Sequence, residues 1–165
     1  GTLRLIQGVV PHMSSRKKGK IVNVGSVAGM VPSPWAGAYA ATKATLHAMS
    51  DVLRMELRAF GIDVITLVPG AIKSNMGASA LSTYNKMPEW KLYNKFSEAI
   101  RDRAVFSQSL ASTSAEEFAV KTVDAVLKKN PPSWFSYGHL STKALIVSYL
   151  PLFLRDCLLR KKFRC

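Results

Sequence analysis

Apolar residues recur at Leu3, Ile6, Val9 and Val10, a helical period that stops at Pro11, so the chain opens inside an amphipathic helix with no cap before Gly1. A basic turn leads into "KIVNVGS", a β-branched run that reads as a buried strand opening into a loop at Gly25 and Ser26. The Gly- and Pro-rich "VAGMVPSPWAG" then feeds a helix from about Ala38 to Phe60, with Leu46, Met49, Leu53, Met55 and Leu57 among its apolar positions and Gly61 as its C-cap. "IDVITLV" is a second buried strand, stopped by Pro69 and Gly70. A helix between two consecutive buried strands is a βαβ unit, whose strands run parallel through a right-handed crossover. Ligands bind such sheets at the carboxyl ends of the strands, here Gly25-Ser26 and Pro69-Gly70.

Beyond the second strand, a polar and aromatic stretch from Ser74 to Ser112 is expected to be helical in parts. A helix from about Ser114 to Lys129 follows, with Ser114 as cap and Glu117 completing a capping box, and Pro131-Pro132 ends it. "SWFSYG" reads as a last short strand. The run from Ala144 to Leu154, broken only by Ser148 and Pro151, is too short to span a bilayer, which needs about 20 residues. With Arg155 and "RKKFRC" beyond it, an interfacial segment fits, and a helix capping the substrate pocket or packing on a partner subunit is the alternative.

Composition changes this picture little. The formal charge of +13 concentrates in "RKKGK" (Arg16 to Lys20) and in "RKKFRC" (Arg160 to Cys165), a turn and a tail without any nucleic-acid-binding pattern, so no nucleic-acid partner is expected. Cys157 and Cys165 form no CxxC pair, and His12, His47 and His139 lack metal-ligand spacing. No metal site is expected.

Tyr39 and Lys43 carry the candidate chemistry. They are an i, i+4 pair at the head of the long helix, thirteen residues after Ser26 at a strand end, and among five tyrosines only Tyr39 has lysine four residues on. A free phenol titrates near pH 10, and a base useful near neutrality requires about 4 kcal/mol of help. An ammonium at about 4 Å supplies about 1 kcal/mol in bulk water and about 4 at an effective dielectric of 20. Lys43 therefore suffices only in a crevice from which water is excluded.

In order and spacing, "GKIVNVGSVAG", "AYAATKA" and "GIDVITLVPG" resemble the serine strand, the Tyr-x-x-x-Lys helix and the Pro-Gly strand end of the short-chain dehydrogenase/reductase family, over about residues 1–74. The resemblance implies that Tyr39 is the general acid in carbonyl reduction and that Ser26 hydrogen-bonds the same oxygen. It implies that Lys43, with Tyr39, holds the nicotinamide ribose, and that Pro69, Gly70 and Ile72 line the nicotinamide. Ser74 stands where the family usually carries threonine and is expected to meet the carboxamide. The family's glycine-rich phosphate turn and its Asn-Ala-Gly strand would lie upstream of Gly1. The chain is accordingly expected to be α/β, the C-terminal half of a doubly wound parallel-sheet, Rossmann-like fold lacking the first βαβ half, and unstable or inactive alone. Residues 1–140 would be the partial catalytic domain and residues 141–165 a membrane-associating tail.

In "YAATKATLHAMSDVLRMEL", "SYGHL" and a hydrophobic tail ending in "RKKF", the chain looks most like the reductases of the family that use NADPH on 1-acyldihydroxyacetone phosphate. This implies hydride transfer from NADPH to an acylated glycerone phosphate or another lipid ketone, giving 1-acylglycerol 3-phosphate, on the cytosolic face of the endoplasmic reticulum or a lipid droplet. Lys73 is the guess for meeting the phosphate. A cytoplasmic location is the alternative, and self-association into a homo-oligomer is left open. The rival substrates are hydroxysteroids, retinoids or sphingoid ketones. The rival from another class is an inactive membrane-surface fragment.

Overall fold

In the computed structural model, which describes residues 1–165, strands β1 (Gly19–Val24), β2 (Ile62–Pro69) and β3 (Trp134–Tyr137) form one parallel sheet in that order. Seven helices accompany it: α1 (Thr2–Ser15), α2 (Gly37–Leu57), α3 (Asn75–Asn85), α4 (Ser97–Ala104), α5 (Ala115–Val126), α6 (Ser141–Ser148) and α7 (Leu152–Phe163). The sheet is the expected α/β, partial Rossmann-like arrangement. Its register pairs Gly19 with Ile62 through Val24 with Leu67, which sets the ends of β1 and β2 side by side.

The central strand explains where the core sits. Ile62, Val64, Ile65, Leu67 and Val68 are each at most 3% exposed, because β2 has a neighbour on each edge and packing on both faces. Each such side chain contributes about 1.5–3 kcal/mol by leaving water. β1 corrects the expectation of a fully buried strand: Ile21 and Asn23 point inward, whereas Val22 and Val24 are 37% and 50% exposed. Successive strand side chains point to opposite faces, and the cluster with Ile6 and Leu57 covers only the Ile21 face of β1.

α1 continues through Pro11 to Ser15, beyond the expected stop. Proline leaves the Gln7 carbonyl without its helical donor but tolerates the helical φ. Of the α1 stripe Ile6 is buried, in a cluster with Ile21, Leu57, Ile62 and Val64, while Leu3 and Val9 lie exposed. α2 tightens into a 3-10 turn at Arg58–Phe60 and stops at Gly61, whose φ of +70° and contact with the Lys17 carbonyl leave no place for a Cβ. Met55 of α2 faces solvent.

α5 ends at Val126, short of Lys129, and only half of its capping box forms. Ser114 Oγ accepts from the Glu117 N–H at 3.1 Å, but the Glu117 carboxylate accepts from the Tyr137 hydroxyl at 2.6 Å and so ties α5 to β3. That short bond, chiefly, holds the Tyr137 phenol above its usual pKa. Between β2 and α5, residues 74–112 supply α3, α4 and two 3-10 turns.

The tail bends at Pro151 into α6 and α7 and folds back on the rest. α6 packs on β3 and on the Val27–Gly29 turn with Ser141 buried. α7 buries no residue along its length. Its far end docks through Trp35, whose Nε1–H donates to the Phe163 carbonyl at 3.1 Å, and through Arg164, which pairs with Glu98 and Asp102. No helix is long and apolar enough to cross a membrane.

Candidate active site

The face that α2 turns to the sheet is polar where it meets the end of β1. Lys43, His47 and Ser50 recur there at helical spacing. Lys43 Nζ donates to the Val24 carbonyl at 2.8 Å, and His47 Nε2 accepts from the Ser26 N–H at 3.2 Å. Ser50 Oγ accepts from Asn23 Nδ2 at 2.8 Å and donates to the Leu46 carbonyl at 2.7 Å. These bonds satisfy the buried Asn23, His47 and Ser50, and they fix α2 along the strand by direction as well as by area.

His47 also presses on Gly25, where a Cβ would collide with the imidazole and the Leu67 carbonyl. Glycine is required here by close approach. Burial lowers the His47 pKa; Asp51 opposes the shift and Lys43 adds to it. The neutral ring, with Nε2 accepting, carries its proton on Nδ1.

Tyr39 lies half-buried one turn before Lys43, whose Nζ is 5.7 Å from the phenol ring centroid. Ser26 is buried and begins the Val27–Gly29 turn, its Oγ accepting from the Ala28 N–H at 3.1 Å. That bond uses a lone pair, so the hydroxyl proton stays available. The structure thus brings Tyr39 and Lys43 together and fixes Ser26 at the same strand end. No hydrogen bond joins Ser26 to Tyr39.

Across the crevice, Pro69, Gly70 and Ile72 lie half-buried at the end of β2. The Gly70 N–H donates to the Tyr137 carbonyl at 2.9 Å, the Ala71 N–H to His139 at 2.8 Å, and Ile72 bridges to Thr113. Ser74 is exposed and starts α3, its Oγ accepting from the Met76 N–H at 3.4 Å. Lys73 projects exposed beside it with no side-chain partner.

Three residues that sequence reasoning missed border the crevice. Arg103 of α4 donates from Nε to Ser33 Oγ at 3.0 Å, in the loop before α2. Its guanidinium is pushed down by burial and partly restored by the neighbouring Tyr39. Trp35 meets Tyr93 edge-on and Phe96 at a tilt, and holds the end of α7. No local pattern announces contacts separated by 70 and 128 positions. A cavity of about 490 Å³ around Tyr84, Trp90 and Ser97 contains none of Ser26, Tyr39 and Lys43.

The family model described as short chain dehydrogenase matches residues 1–85, which include the serine turn, the Tyr-Lys helix and the whole β1–α2–β2 unit. The chain belongs to the short chain dehydrogenase family. It is 31% identical to the estradiol 17-beta-dehydrogenase 2 of Mus musculus, in an alignment covering 99% of this chain and 45% of that one. Among solved structures, a short-chain dehydrogenase from Streptomyces avermitilis superposes with a TM-score of 0.72 at 24% identity, over 98% of this chain and 57% of that one. A short chain dehydrogenase from Burkholderia cenocepacia J2315, solved in complex with NADP, gives 0.65 at 21% identity, over 96% and 54%. This short chain dehydrogenase chain spans about half the length of the curated relatives it matches.

Proposed function

We propose that this chain supplies the proton-transfer residues of an NADPH-dependent reductase of lipid ketones, acting on 1-acyldihydroxyacetone phosphate to give 1-acylglycerol 3-phosphate. The observation that carries the reading is the placement of Lys43, bonded to the Val24 carbonyl and 5.7 Å from the Tyr39 ring centroid, at the carboxyl end of a parallel strand. The residues present fit a nicotinamide. Lys43 spends one of its three donors on Val24 and has two for ribose hydroxyls, and Pro69, Gly70 and Ile72 offer a half-buried wall for a flat ring. Ser74 keeps a free hydroxyl proton for an amide oxygen. NADPH, when bound, supplies the hydride that forms the new C–H bond at the ketone carbon. Tyr39 gives its hydroxyl proton to the ketone oxygen and is reprotonated from solvent. Ser26 donates a hydrogen bond to the same oxygen, and Lys43 steadies the negative charge left on Tyr39.

The tail suits a lipid substrate. Ile146, Tyr149, Leu152 and Phe153 are 61–83% exposed, and the same two helices carry Lys143, Arg160 and Lys161. Exposed apolar side chains on a basic segment favour an anionic membrane surface, here the cytosolic face of the endoplasmic reticulum or a lipid droplet, engaged through residues 141–165. A second reading is reduction or oxidation of a hydroxysteroid, favoured by the estradiol dehydrogenase likeness that runs along nearly the whole chain. NADPH consumption by the intact protein is the test, with 1-acyldihydroxyacetone phosphate, a 17-ketosteroid, retinal and a sphingoid ketone in competition. Preference for the acylated phosphate is expected. Preference for the steroid replaces the substrate and keeps the chemistry, and failure to bind NADPH defeats the enzyme reading.

A further inference from the structure

We propose that Arg103 and Lys162 form the subsite for the substrate's phosphate, beside Tyr39; this rests on the lipid-phosphate reading above. The end of α7 and α4 enclose a half-open cavity of about 150 Å³, lined by Ala99, Asp102, Arg103, Phe106, Lys162, Phe163 and Arg164. Arg103 lies 5.9 Å from the centroids of both Phe106 and Phe163, and Lys162 Nζ lies 5.0 and 5.7 Å from the same two rings. Two cations therefore share one pair of aromatic faces.

Neither cation has a carboxylate. Glu98 and Asp102, the acids of α4 that face the tail, are both taken by Arg164. Arg103 makes one hydrogen bond, from Nε to Ser33, and its terminal nitrogens make none. Burial weakens the protonated form of Arg103, and burial together with Arg103 and Lys143 does the same to Lys162. Like charges held over one pair of rings, Arg103 half-buried and Lys162 exposed, repel each other unless an anion joins them. The forked guanidinium offers a phosphate two parallel N–H bonds, and the ammonium adds a third contact.

Position decides which anion. Arg103 is bonded to Ser33 in the loop that leads into α2, at whose head stands Tyr39, the acid that must meet the ketone oxygen. A phosphate ester on the carbon next to the carbonyl is held within a few bonds of that oxygen, so its cations must stand beside the catalytic phenol. The exposed Lys73 lines neither this cavity nor its rim. Docking of α7 through Trp35 and Arg164 delivers Lys162 to the cavity, which gives that latch a role in substrate recognition.

Inorganic phosphate titrated calorimetrically into the intact protein tests the subsite without turnover. Arg103→Met is expected to weaken phosphate roughly 30-fold and Lys162→Met roughly tenfold, as for hydrogen bonds to charged groups, with Lys73→Met changing little. Arg103→Lys keeps the charge and loses the fork, so it falls between wild type and Arg103→Met and guards against a folding artefact. In steady state, Arg103→Met lowers the ratio of kcat/KM for the phosphorylated ketone over its dephosphorylated counterpart by at least about tenfold, through KM. The proposal is overturned if phosphate does not bind, if Lys73→Met carries the loss, or if both ketones suffer equally. A wild-type protein that binds phosphate through Arg103 yet reduces only uncharged ketones supports the anion subsite and contradicts the lipid-phosphate reading.

Discussion

The strand-end crevice and the C-terminal helices are held by opposite means. In the crevice, Lys43, His47 and Ser50 descend one helix face and bond, in turn, to Val24, Ser26 and Asn23, each within 3.2 Å, while Gly25 leaves no room for the parts to shift. In the tail, α7 buries nothing along its length and is fastened at one end by Trp35 and Arg164. Proton transfer needs groups fixed relative to each other, and a helix held at one end can open without disturbing them. The difference in fastening assigns rigidity to one region and mobility to the other.

Substitutions sharpen that contrast in a predictable order. Lys43→Ala removes a charge, the proposed ribose donor and the strut to Val24; kcat/KM for ketone reduction is expected to fall about 10²-fold or more, with weaker NADPH binding by titration. His47→Ala leaves the Ser26 N–H buried without an acceptor and opens space beside Gly25, a cost of about 1–3 kcal/mol in a denaturant melt. Equal stability of this variant and wild type would break the claim that the crevice is rigid because of these bonds.

The same histidine sets a pH dependence. Its folded-state pKa lies below the unfolded value of about 6.5, so its contribution to stability is complete above that pH and is lost as pH falls through the lower folded value. Thermal melts at decreasing pH should show this loss in wild type and a flatter profile in His47→Gln. At the tail, Arg164→Ala removes exposed ion pairs worth about 0–1 kcal/mol. Hydrogen exchange should quicken in α7 and stay unchanged in α2. An equal response in both helices would erase the distinction between them.

The crevice was legible in the sequence because its parts are local. A β-branched run before Gly25-Ser26, a helix carrying Tyr39 and Lys43 one turn apart, and a strand ending in Pro69-Gly70 follow one another within the 50 positions from Ile21 to Gly70, and the crossover rule assembles them. Less legible was the polar face of α2, since apolar periodicity directs attention to Leu46 and Leu53 and away from His47 and Ser50. β1 shows the same limit: composition marks a buried strand, but its neighbours decide that Val22 and Val24 face out. Arg103, Ser33, Trp35 and Lys162 were invisible, for their meaning arises only when α4 and α7 fold against the loop before α2. Glu117 was half legible, its position naming the cap and its carboxylate going to Tyr137.

The central claim is that Tyr39 transfers the proton within this crevice. It is tested most directly by single-turnover reduction of the ketone by Tyr39→Phe in the intact protein saturated with NADPH. The account predicts a fall of at least about 10²-fold in the rate of the chemical step, with cofactor affinity nearly unchanged. Reduction at close to the wild-type rate would contradict it, because a ring without a hydroxyl has no proton to give.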